Sequence, residues 1–244
     1  MDDTSRVVLI TGATRGIGAA IADAFGGENV ELLLTGTRED EIDRLNETSL
    51  PERRYLQADF SSSASLEAFL EQVEALDRLD VCINNAGINI IKSVDDVAPA
   101  DFDRLTAVNY RAPYLISQAA ARIMKRQGRG WIVNIGSIWS VITKPGRSLY
   151  CASKAGLAGM TRAIATDLAP HGVLVNCVSP GFVMTDMTRQ SLSEEEVQQL
   201  ASQVPLGRFA APTEIARVVS FLGSPSNTYL TGQNIVVDGG FCHV

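Results

Sequence analysis

Tyr150 and Lys154 stand four residues apart in Leu149–Leu168, a stretch of helical spacing, and so share one helix face. A phenol can give a proton to a carbonyl oxygen, but a free pKa of about 10 makes it a poor base at neutral pH. A neighbouring ammonium favours the phenolate, so Lys154 is expected to lower the pKa of Tyr150. Ser137 follows the apolar run Trp131–Ile135 and can hydrogen-bond the same oxygen. Each residue also has a bland reading alone. Tyr-x-x-x-Lys is a common helix-face contact, and a serine after a strand is a common turn or N-cap residue.

A second signal lies upstream. Thr11-Gly12-Ala13-Thr14-Arg15-Gly16-Ile17-Gly18 joins a short apolar run, Val7–Ile10, to an amphipathic stretch, Gly16–Phe25. A helix N-terminus offers unpaired N–H groups to a pyrophosphate, and glycines let the phosphates come close. The spacing G-x-x-x-G-x-G departs from the common G-x-G-x-x-G fingerprint, so a glycine-rich turn without ligand is the alternative. The next strand, Val30–Leu34, runs into Thr35-Gly36-Thr37-Arg38 with no carboxylate before Glu39. NAD enzymes place an acid there for the ribose hydroxyls. Arg38 and Arg15 are instead suited to a 2′-phosphate, which favours NADP(H); otherwise both are solvated surface residues.

These groups need a scaffold. Short β-branched runs alternate with helical stretches along the chain. Strands are expected at Val7–Ile10, Val30–Leu34, Tyr55–Ala58, Asp80–Ile83, Trp131–Ile135, Val173–Val178 and Asn234–Val237. Helices are expected at Gly16–Phe25, Glu39–Asn46, Ser63–Ala75, Ala100–Arg126, Leu149–Leu168 and Thr213–Leu222. Seven strands alternating with helices imply one α/β domain over 1–244, a doubly wound parallel sheet with helices on both faces. Such a sheet binds ligands at the carboxyl ends of its strands, where the glycine loop, Ser137 and Tyr150 can meet.

Composition bounds the rest. The 244 residues are 45% hydrophobic and 20% charged, which suits a globule with a large core. Lys plus Arg is 21 against 28 for Asp plus Glu, a net charge of −7. That balance gives no footprint for nucleic acid and no attraction to anionic lipid. No apolar run approaches a membrane span, and the start MDDTSR is unlike a secretory signal, so a cytoplasmic protein is expected. Cys82, Cys151, Cys177 and Cys242 lack CxxC spacing and read as free thiols. With His171 and His243 the only histidines, no metal site is expected.

The ordered set of motifs resembles the short-chain dehydrogenase/reductase family. It comprises TGATRGIG (Thr11–Gly18), Asp59 after the third strand, NNAG (Asn84–Gly87), VNY around Asn109, IGS ending at Ser137, YCASK (Tyr150–Lys154), and SPG (Ser179–Gly181) followed by Thr185. The resemblance implies a Rossmann-type fold and catalysis by Asn109, Ser137, Tyr150 and Lys154. Tyr150 would donate the proton and Ser137 orient the carbonyl. Lys154 would hold the nicotinamide ribose, and Asn109 would hold a water linking Lys154 to solvent. For the cofactor it implies Gly12, Thr14, Arg15, Gly16, Ile17, Gly18 and Arg38, with Asp59 near the adenine and Asn85, Ala86 and Gly87 along the adenosine ribose. Pro180, Gly181, Val183 and Thr185 would bracket the nicotinamide.

Within the family, the tail (Pro180–Arg189, Gln203–Leu222, Tyr229–Gly240) resembles 3-oxoacyl-acyl-carrier-protein reductases. Arg122, Lys125, Arg126 and Arg129 could dock an acidic carrier protein, or complement a helix dipole. Three departures weigh against that substrate. The loop Ile88–Ser93 lacks the family's usual pattern, His171 replaces an arginine, and Trp139 follows Ser137, as a packing residue or as a wall for a sugar ring or acyl chain. The runner-up is a reductase of sugars or small keto compounds in surface-glycan synthesis. A non-catalytic nucleotide sensor comes last, and an epimerase or dehydratase would need a substrate domain after the sheet. The resemblance also implies a homotetramer paired through Ala100–Arg126 and Leu149–Leu168, and a substrate lid around 185–212. Glu194-Glu195-Glu196 reads as a solvated helix start.

Overall fold

The computed structural model describes residues 6–27 and 29–243, with only the backbone of Met187 and Ser191. Apart from Arg6, the polar start read as unlike a signal lies outside these residues. The strands are β1 (Arg6–Ile10), β2 (Val30–Gly36), β3 (Arg53–Gln57), β4 (Val81–Asn84), β5 (Gly130–Ile135), β6 (Val173–Pro180) and β7 (Asn234–Val237). They pair in parallel in the order β3-β2-β1-β4-β5-β6-β7. The helices are α1 (Gly16–Phe25), α2 (Glu39–Thr48), α3 (Ser63–Glu74), α4 (Pro99–Thr106), α5 (Ala112–Gln127), α6 (Ser148–Leu168), α7 (Asp186–Ser191), α8 (Glu194–Ala201) and α9 (Pro212–Leu222). The doubly wound α/β sheet expected from the sequence is the observed one.

Alternation along each strand builds two cores. Val8, Ile10, Leu32, Leu34, Val81, Ile83 and Val133 pack against α1 and α9. Leu9, Leu33, Cys82, Ile132 and Val175 pack against α3, α5 and the C-terminal half of α6. Side chains of a strand point to opposite faces in turn, so both faces must be apolar when helices cover both.

The helix expected over Ala100–Arg126 is interrupted. Between α4 and α5 the backbone widens into a π turn, Ala107–Arg111, in which the Ala112 N–H donates to the Ala107 carbonyl. Pro113 is the cause. It has no N–H to offer the Asn109 carbonyl, and its ring would strike that carbonyl in a regular helix. The excursion after β6 holds two short helices, α7 and α8.

Candidate active site

The site grows from the switch between β1 and β4, neighbours in the sheet whose chains turn opposite ways around it. At the end of β1, Thr11 Oγ1 accepts from the backbone N–H groups of Asn85 and Ala86, both at 3.0 Å. Asn85 answers: its Nδ2 donates to the carbonyls of Thr11 (2.9 Å) and Gly12 (2.8 Å). The glycine loop is thereby strapped to the loop after β4. Gly12 has φ +63°, a conformation an L side chain rarely adopts. Gly18, on the first turn of α1, lies so close that an added Cβ would sit 2.2 Å from the Gly12 carbonyl oxygen. Arg15, the N-cap of α1, supplies no side-chain cap, which leaves the helix's first N–H groups open to an anion. Thr14 and Ile17 flank this turn, and Thr185 faces Gly16 from across it.

The catalytic candidates meet at the ends of β5 and β6. The Tyr150 phenol stands beside Ser137, whose Oγ accepts from the Trp139 backbone N–H at 3.3 Å. Lys154 is buried; its Nζ donates to the Ile135 carbonyl at 2.8 Å and stands 5.8 Å from the centre of the Tyr150 ring. Asn109 is wholly buried in the π turn. Its amide clasps the backbone of Ile88, accepting from the N–H and donating to the carbonyl, both at 2.8 Å. Gly87 closes the group, because a Cβ there would lie 3.5 Å from both Asn109 Oδ1 and Lys154 Nζ. Pro180 ends β6, and Val183 makes an isolated bridge to Ala210. Thr185 caps α7 by accepting from the Thr188 N–H.

Two cofactor candidates have partners within the chain. The Asp59 carboxylate accepts from Ser61 N–H (2.9 Å) and Oγ (2.7 Å), so it serves its own turn. Arg38 is exposed and bonded twice to Asp40, at 2.6 and 3.2 Å.

The electrostatics correct one expectation. Burial pushes the Tyr150 phenol above its ordinary pKa of 10.0, against the neighbouring Ser137 hydroxyl and the nearby Arg147 cation, which pull it down. Lys154 is not the cation that acidifies it. Its ammonium points to the Ile135 carbonyl, and burial lowers its own pKa to about 8. The phenol is therefore protonated at neutral pH, the form a proton donor requires.

A family model described as Enoyl-(Acyl carrier protein) reductase matches residues 12–242. The 3-oxoacyl-(acyl-carrier-protein) reductase of Aquifex aeolicus is 39% identical over 96% of each chain. A solved short chain dehydrogenase/reductase family protein is 36% identical with a TM-score of 0.89, covering 99% of this chain and 100% of its own. The chain belongs to the short-chain dehydrogenase/reductase family. It is a nicotinamide-dependent oxidoreductase acting between a CH–OH group and a carbonyl. A gluconate 5-dehydrogenase from Burkholderia cenocepacia, solved with NADP and tartrate, is 27% identical with a TM-score of 0.88 over 98% of this chain and 96% of its own.

For a family member, the cleft fits a dinucleotide. The open end of α1 matches a pyrophosphate, and side chains at Gly12 or Gly18 would fill the cradle. Sequence reasoning missed Arg147. It lies three residues before Tyr150 at the start of α6, and only its charge and place could have flagged it.

Proposed function

We propose that this chain reduces the keto group of a 3-oxoacyl thioester to an alcohol with NADPH. The convergence of Ser137, Tyr150 and Lys154 beside the strapped glycine loop carries this reading. The bound cofactor supplies the hydride. Ser137 hydrogen-bonds the carbonyl oxygen, and Tyr150, neutral at working pH, gives it the proton as negative charge develops. Lys154 lies where it can hold the nicotinamide ribose. Asn109 fixes Ile88 and keeps a lone pair of its Oδ1 for a water beside Lys154. Gly12, Thr14, Arg15, Gly16, Ile17 and Gly18 take the pyrophosphate side, with Asp59, Asn85, Ala86 and Gly87 along the adenosine. Pro180, Gly181, Val183 and Thr185 take the nicotinamide side.

NADP(H) is supported by Arg38 and by the NADP held in the gluconate 5-dehydrogenase structure. The Arg38–Asp40 pair is exposed, so little opposes its exchange for a 2′-phosphate. The thioester is supported by the Aquifex relative and by exposed apolar Ile91, Val94 and Val141 on the loops after β4 and β5, suited to an acyl chain. We place the enzyme in the cytosol, consistent with four free thiols, with the segment 185–212 as its substrate lid. A second reading, a sugar acid or small hydroxy acid, is favoured by the gluconate 5-dehydrogenase likeness. Side-by-side rates with a 3-oxoacyl thioester and a keto-sugar acid, each with NADPH and NADH, decide. A faster thioester rate with NADPH is expected, and a thioester left unreduced overturns the reading.

A further inference from the structure

We propose that Arg147, backed by Lys144, forms an anion subsite that takes a carboxylate carried by the substrate beside its reacting carbonyl. The inference rests on the reductase reading of the site and, between its two substrate classes, favours the second, a keto acid. Arg147 Cζ lies 5.5 Å and Lys144 Nζ 5.3 Å from the centre of the Trp139 indole, so one ring brings two cations together. The Trp139 backbone N–H donates to Ser137 Oγ, and Arg147 is near enough to act on the Tyr150 phenol. The pair therefore borders the place where a carbonyl oxygen must sit.

Neither cation is neutralised. Among the described residues the chain's other ion pairs use Arg38, Arg53, Arg78, Lys92, Arg122, Arg129 and Arg208, while Lys144 and Arg147 have no carboxylate partner. The Nε of Arg147 is buried without a hydrogen-bond partner. A buried guanidinium donor left without a partner is costly. A planar carboxylate satisfies the guanidinium fork in a bidentate way. The wall is also fixed in place: the Gly146 carbonyl accepts from the Lys92 N–H at 3.2 Å, tying this turn to the loop after β4. An acyl thioester has no charge near its keto group, and the phosphate of a carrier's prosthetic arm lies at that arm's far end. The matching anion is thus a carboxylate of the substrate itself.

The test compares 3-oxobutanoate with its methyl ester, using NADPH and the full chain. The acid is expected to have the higher kcat/KM. Arg147→Gln should lower the acid's kcat/KM about ten- to a hundredfold, mainly through KM, and by at least about tenfold more than it lowers the ester's, whose loss reports only the cation's pull on Tyr150. Arg147→Lys should restore part of the acid's rate. Equal losses on both probes, or a wild type that does not prefer the acid, would overturn the subsite. If a 3-oxoacyl thioester is reduced and neither probe is, the subsite falls and the reductase reading stands. If no carbonyl is reduced, that reading falls, and calorimetric titration of 3-oxobutanoate into the NADP-loaded chain decides. Binding lost in Arg147→Gln supports the subsite, and no binding by wild type overturns it.

Discussion

Tyr150 and Lys154 divide their work differently from the phenol–ammonium couple their spacing suggests. The phenol is held neutral by burial, and the ammonium is itself destabilised, its pKa lowered from 10.5 to about 8. Tyr150→Phe should cost a factor of about 10² to 10⁴ in turnover and leave NADPH binding, followed by fluorescence, within about twofold. Lys154 gives a pH prediction. Its folded pKa lies below its unfolded one, so between about 8 and 10.5 the unfolded chain binds a proton that the native state lacks. Stability of the cofactor-free protein should therefore rise with pH through that window, and the penalty, about 3 kcal/mol, is in full force below it. Lys154→Met removes the charge and also strands the Ile135 carbonyl, worth about 1 kcal/mol the other way. The variant should melt roughly 3–6 °C above wild type at pH 7, a gap that closes towards pH 10, while losing turnover. A lower melting point at pH 7 would mean the ammonium is compensated by contacts not seen here. Arg38→Asp should move the cofactor preference from NADPH towards NADH by at least about tenfold, since it removes a phosphate partner and adds repulsion; unchanged preference would place the 2′-phosphate contact elsewhere.

Among the elements, the strap between the glycine loop and the loop after β4 holds the cofactor end together. Asn85→Ala deletes both hydrogen bonds to the Thr11 and Gly12 carbonyls and should weaken dinucleotide binding and cost about 1–3 kcal/mol of stability, read by titration and by chemical denaturation. Binding unchanged within error would show that the loop keeps its shape without the strap. Most strands were legible because they are short apolar runs of Val, Ile and Leu between turn residues, and the two-sided burial of Val8, Leu9 and Ile10 follows from this. The motif residues were legible as a set: the loops of Gly12, Asn85, Ser137 and Gly181 follow β1, β4, β5 and β6, while Asn109, Tyr150 and Lys154 come from the helical segments between them. The π turn was not. An amphipathic pattern runs unbroken through Asn109, and only Pro113, whose consequence falls four residues upstream, marks the break. Nor was the burial of Lys154 legible, because the direction of its ammonium depends on the Ile135 carbonyl, a partner supplied by packing rather than by spacing.

At the scale of the whole molecule, the basic group proposed for carrier docking lies at the end of its own sheet opposite Ser137. Lys125 and Arg126 close α5, and Arg129 precedes β5, whereas Ser137 follows β5; its six residues put about 20 Å between the two ends. Arg122 is paired with Glu74, and Arg129 is 3.8 Å from Asp80; among the described residues Lys125 and Arg126 are exposed and take no part in an ion pair. His171 sits at the same end, next to Gly172, which packs on Gly128. A carrier docked there can feed only a cleft presented by another copy of the chain. The surface offers such a partner face: Phe102, Tyr110 and Tyr114 of the α4–α5 stretch are exposed aromatics, and β7 is an edge strand with Tyr229 and Leu230 bare beside it. We expect a homotetramer, four times 26.2 kDa by sedimentation, reduced to a smaller species by Tyr114→Glu with Phe102→Glu. In the assembled enzyme, Lys125→Glu with Arg126→Glu should raise KM for an acyl-carrier substrate about tenfold and flatten its salt dependence, with a small acyl thioester unaffected, because steering by clustered charge acts on a charged carrier and not on a neutral fragment. If both substrates keep their KM, the two cations only complement the end of α5. If wild type sediments as a monomer and still accepts the carrier, docking must occur on the cleft face itself.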